Sequence, residues 1–280
     1  ADAVKKYAGV DFAAVSTVEE ARELADQGVK ELILVAQETT VYGQDLYGEK
    51  SLPRLLRELC KIQGIWWIRL LYCYPEEVDE ELIRVMKEEQ KICHYIDLPI
   101  QHASDEILKR MGRRTSRAEL VEIIGKLREA IPDIAIRTTL ITGFPGETKE
   151  QQEELMDFVD QMEFDRLGVF TYSPEEDTPA ARMPDQIPEE VKEDRKAQLM
   201  ELQQEIAFDR AEQMKGREML VLIEGKVADE NAYVGRTYMD APGVDGLIFV
   251  QTEEELMTGD FVKVKVTGAL EYDLIGEVLR

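Results

Sequence analysis

The most specific chemical signal in the sequence is a glycine-rich turn at the end of an apolar, β-branched run. The run IAIRTTLIT, residues 134–142, leads into GFPGE at 143–147, and a helical pattern follows. Glycines leave backbone N–H groups accessible to a ligand, and the start of a helix attracts anions. We therefore expect Gly143, Gly146 and Glu147 to help bind a ligand.

Arg137 lies in the middle of the same apolar run. A guanidinium that points into a fold needs an anionic partner, because burying an unpaired charge is costly. A ligand carboxylate would serve as that partner, and so would a structural aspartate. The strand alone favours neither.

Polar residues also follow three other apolar runs. Gln37 and Thr39 stand at the end of ELILVA, Gln101 directly follows YIDLPI, and Tyr172 follows RLGVFT. Any one of them could be an ordinary turn residue. The carboxyl ends of the strands of a β/α barrel share one face, and that face carries the chemistry. Together, these residues therefore predict one common site.

His102 and Ser104 come next after Gln101 in the chain. We expect Ser104 to cap the following helix, DEILKRM, and His102 to lie at the surface. Gln101 is therefore the better candidate for a ligand contact.

The runs that position these residues alternate with amphipathic, charge-rich segments of helical length. This alternation is typical of βα units that build a parallel sheet. Six runs are predicted strands: residues 7–12, 31–37, 66–73, 95–100, 134–143 and 166–173. They predict an α/β fold, an incomplete β/α barrel of about six strands that covers residues 1–186.

The C-terminal third has a different residue pattern. Residues 187–213 predict a long polar helix that connects two domains. From 214 to 280, short β-branched runs alternate with Gly, Asn and Asp, which predicts a small all-β barrel.

The charge narrows the classes of function. The 280 residues carry 58 acidic and 34 basic side chains, a formal net charge of −24. Affinity for nucleic acid comes largely from clustered Lys and Arg, so we expect weak or no nucleic-acid binding and favour a basic partner. No apolar run approaches the roughly 18 residues that span a bilayer. We therefore expect a cytoplasmic protein without membrane association.

Three cysteines are present, Cys60, Cys73 and Cys93, and they form no CxxC pair. Their spacing is typical of reduced thiols in the cytosol rather than of a disulfide framework. We predict no metal site in this chain.

Several motifs together resemble the radical S-adenosylmethionine methylthiotransferases. They are PIQHAS at 99–104, GFPGET at 143–148 and DAPGVDG at 240–246, within a similarity that covers nearly the whole chain. The C-terminal part resembles the OB-like TRAM barrel of one branch. That branch adds a methylthio group to the β-carbon of an aspartate in small-subunit ribosomal protein S-12. The resemblance implies a radical-SAM barrel followed by a TRAM domain, and this activity in the parent enzyme.

The resemblance also implies that the cofactor S-adenosylmethionine lies across the strand ends. It assigns cofactor binding to eight residues that the strand-end argument had already singled out: Gln37, Thr39, Gln101, Arg137, Gly143, Gly146, Glu147 and Tyr172.

The sequence departs from the family after its first strand. Family members place a CxxxCxxC loop there, and its three thiolates hold a 4Fe-4S cluster. Here residues 13–15 lead directly into the next helical pattern, and the N-terminal domain that holds a second cluster in the family is also missing. The three cysteines present lie on other elements and cannot replace the loop. We therefore expect no catalytic residue in this chain and no 5′-deoxyadenosyl radical; whether the loop is deleted or skipped in the printed chain stays open.

Three functions remain. The first is the barrel and TRAM core of a methylthiotransferase that acts on ribosomal protein S-12 or the small ribosomal subunit. The second is a tRNA-modifying relative, but residues 214–280 hold 13 acidic and seven basic side chains, which favours the protein substrate. The third is a non-catalytic β/α barrel that binds a nucleoside or a ribosomal partner, which the missing cysteines favour.

Overall fold

A computed structural model describes residues 5–7, 10–12, 18–228 and 230–279 of the chain. The first two of these ranges are β1 (Lys5–Tyr7) and β2 (Val10–Phe12), which pair antiparallel with each other. The sequence predicts one strand over residues 7–12 instead. Residues 8 and 9 of that prediction lie outside the described residues.

The central element is a sheet of five parallel strands. They are β3 (Glu31–Leu34), β4 (Trp67–Leu70), β5 (Ile92–Gln101), β6 (Ala135–Thr142) and β7 (Arg166–Thr171). The strands follow one another in this order across the sheet, as repeated βα units require. The predicted partial barrel is confirmed, with five strands among the described residues rather than about six.

Eight α-helices connect and cover the strands within the described part of the chain. They are α1 (Val18–Asp26), α2 (Gln44–Tyr47), α3 (Leu52–Cys60), α4 (Glu80–Glu88), α5 (Asp105–Arg110), α6 (Arg117–Ala130), α7 (Lys149–Met162) and α8 (Glu189–Gln213). The last of them is the predicted connecting helix. None of these helices is long and apolar enough to cross a bilayer.

Local sequence signals start the two helices that flank the glycine-rich turn and its strand. Helix α6 begins with a capping box in which Ser116 and Glu119 satisfy each other's backbone N–H groups. Thr148 and Gln151 form the same reciprocal pair at the start of α7. Because such boxes satisfy otherwise unpaired donors, they fix where each helix begins.

The two faces of the sheet differ in burial. Along β6, Ile136, Thr138 and Leu140 are buried, whereas Arg137 and Thr139 alternate with them and stay partly accessible. Side chains alternate between the faces of a strand, so the buried set packs against the helices and the other set lines the concave face. The chemistry of a β/α barrel lies at the edge of this face formed by the carboxyl ends of the strands.

The C-terminal residues form a second unit, a closed five-stranded barrel in the order β10-β12-β11-β8-β9. Its strands are β8 (Glu218–Lys226), β9 (Ala232–Arg236), β10 (Ile248–Gln251), β11 (Phe261–Leu270) and β12 (Asp273–Val278). The predicted small all-β barrel is therefore present.

The small barrel packs against the first half of the concave face. Trp67, Tyr95 and Ala135 come from the beginnings of their strands and share one apolar cluster with Met239 and Ala241. The strand ends are left open beyond this contact. The candidate site therefore has a floor that the C-terminal barrel helps to build.

Candidate functional site

Hydrogen bonds tie neighbouring strand ends together. The Thr39 N–H donates to the Tyr72 carbonyl oxygen at 3.0 Å, which joins the loops after β3 and β4. The Tyr172 N–H donates to the Thr142 carbonyl oxygen at 2.9 Å, which joins the ends of β6 and β7. Gln101 ends β5 opposite Leu140 of β6. The structure thus brings the sequence-predicted residues of the strand ends to one edge of the sheet.

Gln101 is the most available of the predicted ligand contacts. Its backbone φ is +71°, a left-handed conformation that residues other than glycine rarely adopt. Its Oε1 is buried without a hydrogen-bond partner among the described residues. An unsatisfied buried acceptor costs roughly 1–3 kcal/mol. Strain and an unpaired acceptor at one residue point to a ligand donor that completes it.

The loop after β3 contains Thr39, a predicted site residue whose hydroxyl is fully hydrogen-bonded within the protein. It also contains Glu38, a candidate that was not predicted. The Thr39 hydroxyl donates to the Leu71 carbonyl oxygen and accepts from the Ala36 N–H, so it fixes the loop rather than facing a ligand. Gln37 is exposed. Between them, Glu38 accepts from Thr40 and from the Tyr74 N–H, while its Oε2 is buried without a partner.

Glu38 is a carboxyl group partly removed from water. Burial raises its pKa, and the hydrogen bonds that it accepts only partly offset this effect. The missed signal in the sequence was its position between Gln37 and Thr39, which already placed it at a strand end. Its free oxygen makes it a second acceptor for a ligand donor at this edge.

The glycine-rich turn is built around Glu147. The buried carboxylate accepts from the Gly143 N–H at 2.8 Å, from the Phe144 N–H at 3.3 Å and from the Arg195 guanidinium at 2.7 Å. A carboxylate that accepts several N–H bonds holds a turn in one shape. Protein donors therefore occupy the Glu147 side chain, and its contribution to a ligand site is the shape of the turn.

Both glycines of the turn lie against positively charged side chains of the protein, which leave no room for a Cβ. Both have positive φ, +72° at Gly143 and +77° at Gly146. A Cβ on Gly143 would overlap the stem of Lys192, and one on Gly146 would overlap the Arg110 guanidinium. The sequence predicts that a ligand approaches these glycines, whereas in the structure side chains of α8 and α5 stand where a Cβ would lie.

Tyr172 lies behind the turn. Its ring meets Phe144 edge-on with centroids 5.2 Å apart, and its hydroxyl is buried without a partner among the described residues. The Lys192 ammonium donates to the Tyr172 carbonyl oxygen at 2.8 Å. Tyr172 therefore keeps one polar atom for a ligand.

The prediction for His102 was wrong. The side chain is fully buried, its Nδ1 accepts from the Ser104 N–H at 2.9 Å, and the Ser104 hydroxyl makes no cap contact with α5. The other ring nitrogen, Nε2, lies 3.6 Å from Glu147. His102 takes over the capping role because its ring reaches the free N–H at the start of the helix.

Arg137 has two protein carboxylates as partners. Its Nη1 donates to Asp97 Oδ1 at 2.9 Å, and its Nε lies 3.3 Å from Asp245 Oδ1 of the C-terminal barrel. Arg137 stands near the start of β6, beneath the strand ends. These aspartates neutralise the guanidinium, so it needs no ligand carboxylate.

The described cysteines do not fit an iron–sulfur cluster. Cys60 ends α3, Cys73 follows β4 and Cys93 lies in β5, so they belong to three separate elements. Burial raises the pKa of Cys60 and of Cys93 to about 12, and it raises the pKa of Cys73 as well. A cluster requires several thiolates close together, and three buried cysteines on separate elements do not provide such a set. Among the described residues, no group of three His, Cys, Asp or Glu side chains is placed to hold a metal ion.

The strand ends do fit a ligand of the nucleoside and amino-acid type. Gln101 and Glu38 each offer a buried, unpaired oxygen acceptor, and Tyr172 offers a buried hydroxyl. Exposed rings of Tyr72 and Phe170 lie at the ends of β4 and β7. S-adenosylmethionine requires polar atoms that pair with its amine and hydroxyl groups. It also requires a flat apolar surface for its base.

Comparisons with known proteins agree with this architecture. Residues 9–159 match the model of the radical SAM superfamily, and residues 216–279 match the TRAM domain. The chain belongs to the radical SAM superfamily. The order of a radical-SAM barrel and a TRAM barrel, predicted from the motifs, is confirmed.

The curated relatives are more specific. The chain is 67% identical over 259 residues to "Ribosomal protein uS12 methylthiotransferase RimO" of Lachnoclostridium phytofermentans, a match that covers 92% of this chain and 59% of the relative. It is 51% identical to the protein of the same name from Desulfitobacterium hafniense, with 95% of this chain and 59% of that one covered. The chain therefore spans about 59% of the length of these relatives. Among solved structures, Escherichia coli coproporphyrinogen III oxidase HemN aligns with a TM-score of 0.48 at 19% identity, over 70% of this chain and 48% of that one.

Proposed function

We propose that this chain is the barrel and TRAM core of a methylthiotransferase that acts on small-subunit ribosomal protein S-12. In the parent enzyme the reaction adds a methylthio group to the β-carbon of an aspartate. The observation that carries the proposal is the 67% identity over 259 residues to a relative named for this activity. The open strand ends and their unpaired polar atoms support it.

The chain's own residues would bind and orient S-adenosylmethionine, which supplies a reactive sulfonium group when it is bound. Gln101 and Glu38 accept hydrogen bonds from the amine and hydroxyl groups of the ligand. Tyr172 provides a hydroxyl that can donate or accept. Glu147 keeps the glycine-rich turn in shape, and Thr39 fixes the neighbouring loop.

The charge of the C-terminal barrel favours a protein substrate over tRNA. A groove of about 780 Å³ at one side of this barrel is lined by Glu230, Glu253, Glu254 and Glu277. Phosphate backbones are repelled by such a surface, whereas a basic ribosomal protein is attracted. We propose that S-12, or the small subunit that contains it, docks here, that nucleic acid binds weakly or not at all, and that the protein works in the cytoplasm.

A second function follows from the missing thiolates. The three cysteines present do not fit a 4Fe-4S cluster, so the chain as printed would bind its ligands without generating a radical. In that case it is a non-catalytic barrel that holds a nucleoside or a ribosomal partner, and catalysis belongs to the parent enzyme.

Binding measurements with purified S-12 and with tRNA test the proposed partner. We expect S-12 to bind the chain with an affinity that falls as salt is raised, because the attraction is between exposed charges. A variant with Glu253, Glu254 and Glu277 changed to Gln should bind S-12 more weakly. The matched control changes Glu122, Glu129 and Glu153 of α6 and α7, outside this groove, to Gln and should bind as the unaltered chain does. Tight, salt-sensitive binding of tRNA would contradict the proposal.

A further inference from the structure

The DAPGVDG segment, residues 240–246, is the part of the C-terminal barrel that meets the concave face. An aspartate near each end of the segment pairs with an arginine of the sheet. Asp240 accepts from Arg166 Nε at 3.0 Å, and Asp245 lies 3.3 Å from Arg137 Nε. Both aspartate side chains are almost completely buried.

Asp245 is held in one orientation by two further donors. Its Oδ2 accepts from the Tyr95 hydroxyl at 2.8 Å and from the Ala241 N–H at 2.8 Å. Its Oδ1 is the atom that faces Arg137. The carboxylate is thus a fixed anion between the two domains, aimed at one edge of the guanidinium.

From Arg137, a continuous series of contacts reaches the strand ends. Arg137 Nη1 donates to Asp97 Oδ1 at 2.9 Å, and the other oxygen of Asp97 accepts from the Tyr72 N–H at 3.1 Å. Tyr72 has a φ of +55°, a left-handed conformation. Its carbonyl oxygen accepts from the Thr39 N–H, so the loop after β3 depends on the same turn.

We propose that Asp245 is a positioning residue for the strand-end site. It draws the Arg137 guanidinium to one side, so that only Nη1 reaches Asp97 and the second oxygen of Asp97 stays available to Tyr72. Guanidinium groups prefer to bind a carboxylate through two parallel hydrogen bonds. When the charge of Asp245 is removed, Arg137 turns to bind both oxygens of Asp97, and the carboxylate rotates away from the Tyr72 N–H to meet it.

The consequence is that docking of the C-terminal barrel sets the shape of the rim around Tyr72 and Thr39. The barrel then contributes to the ligand site as well as to partner binding. The inference goes beyond the proposed function and does not depend on the identity of the substrate, because its test reads the backbone directly.

Amide hydrogen exchange at Tyr72 tests the inference in the 280-residue chain. In Asp245→Asn we expect exchange at Tyr72 to accelerate at least about tenfold, the effect of losing a hydrogen bond to a charged acceptor. Asp97→Asn, which alters the acceptor directly, provides the benchmark. Lysine keeps the charge but cannot form two parallel hydrogen bonds with one carboxylate, so exchange at Tyr72 in Arg137→Lys should stay near that of the unaltered chain.

Asp240→Asn is the matched control. It removes a buried interdomain carboxylate of the same segment, but among the described residues its partner Arg166 donates to Asp240 and to the Asp165 carbonyl oxygen rather than to the loops at the strand ends. Its melting temperature should fall while exchange at Tyr72 stays unchanged. Equal acceleration in Asp240→Asn and Asp245→Asn would show general loosening and overturn the proposal. Unchanged exchange in Asp245→Asn with acceleration in Asp97→Asn would overturn it as well, and so would acceleration in Arg137→Lys equal to that in Asp245→Asn.

Discussion

Arg236 of the C-terminal barrel donates to Glu31 of the sheet at 2.6 Å, and both side chains are fully buried. Arg69 donates to the same carboxylate at 2.9 Å. The pair joins residues that are 205 positions apart in the chain. Together with the Arg137 and Arg166 contacts, it fixes the small barrel against the first half of the concave face.

Glu31→Gln should strongly destabilise the docked domains. Removing one member of a buried ion pair leaves the other charge uncompensated, which typically costs about 3–5 kcal/mol. Urea denaturation followed by circular dichroism measures the free energy of unfolding. The control Glu81→Gln breaks an exposed pair with Arg57 and should cost about 0–1 kcal/mol. Similar losses in the two variants would contradict the role of the buried pair.

The same carboxylate makes docking sensitive to acid. Burial opposes the ionisation of Glu31, but Arg236 and Arg69 outweigh it and lower its pKa below the ordinary 4.5. A lowered pKa stabilises the fold above the unfolded-state value, and this stabilisation is lost as the pH falls through the folded-state value. We expect the free energy of unfolding to decrease below pH 4.5 less steeply in Glu31→Gln than in the unaltered chain. Equal slopes in the two proteins would argue against this assignment.

Gly143→Ala should destabilise the glycine-rich turn. The left-handed φ costs about 1–2 kcal/mol for an alanine, and overlap with the stem of Lys192 adds about 1–3 kcal/mol. Gly112→Ala is the matched control, since Gly112 has a φ of +77° and no neighbour where a Cβ would stand. Thermal melting of both variants measures the difference. If both melt at the same temperature, Lys192 does not make the close approach described above.

Gln101→Gly should separate stability from ligand binding. Glycine accepts the left-handed conformation without strain and removes an unpaired buried acceptor, so the melting temperature should be unchanged or higher. Affinity for S-adenosylhomocysteine, measured by calorimetry, should fall by about tenfold for one lost hydrogen bond. Glu271→Gly relieves a similar φ of +56° in an exposed turn and should leave the affinity unchanged. Undiminished affinity in Gln101→Gly would remove Gln101 from the site.

Local sequence signals predicted much of the fold. The capping pairs Ser116–Glu119 and Thr148–Gln151 start their helices, and Trp66 and Trp67 divide between surface and core because neighbours on a strand face opposite sides. Gln101 lies at the end of β5, a position that follows from the order of the elements alone.

The failures involve contacts that are distant in the chain. Arg137 pairs with Asp245, which follows it by more than a hundred positions and belongs to another domain. No local sequence pattern could therefore indicate this pair. His102 was expected at the surface because the pattern of α5 shows only a cap, whereas the ring is enclosed by the glycine-rich turn beyond β6. Thr39 and Glu38 are both polar residues in the sequence, but the Thr39 hydroxyl is hydrogen-bonded within the protein, whereas Glu38 has one oxygen without a partner among the described residues. Polarity alone could not predict this difference.

Anaerobic reconstitution with iron and sulfide tests the central claim most directly, when it is combined with an intact mass that matches the printed sequence. We propose that the strand ends bind S-adenosylmethionine and that the three cysteines of the chain do not hold a 4Fe-4S cluster. We therefore expect no cluster absorbance and no iron retained after desalting. Four irons retained per chain at the matching mass would contradict it.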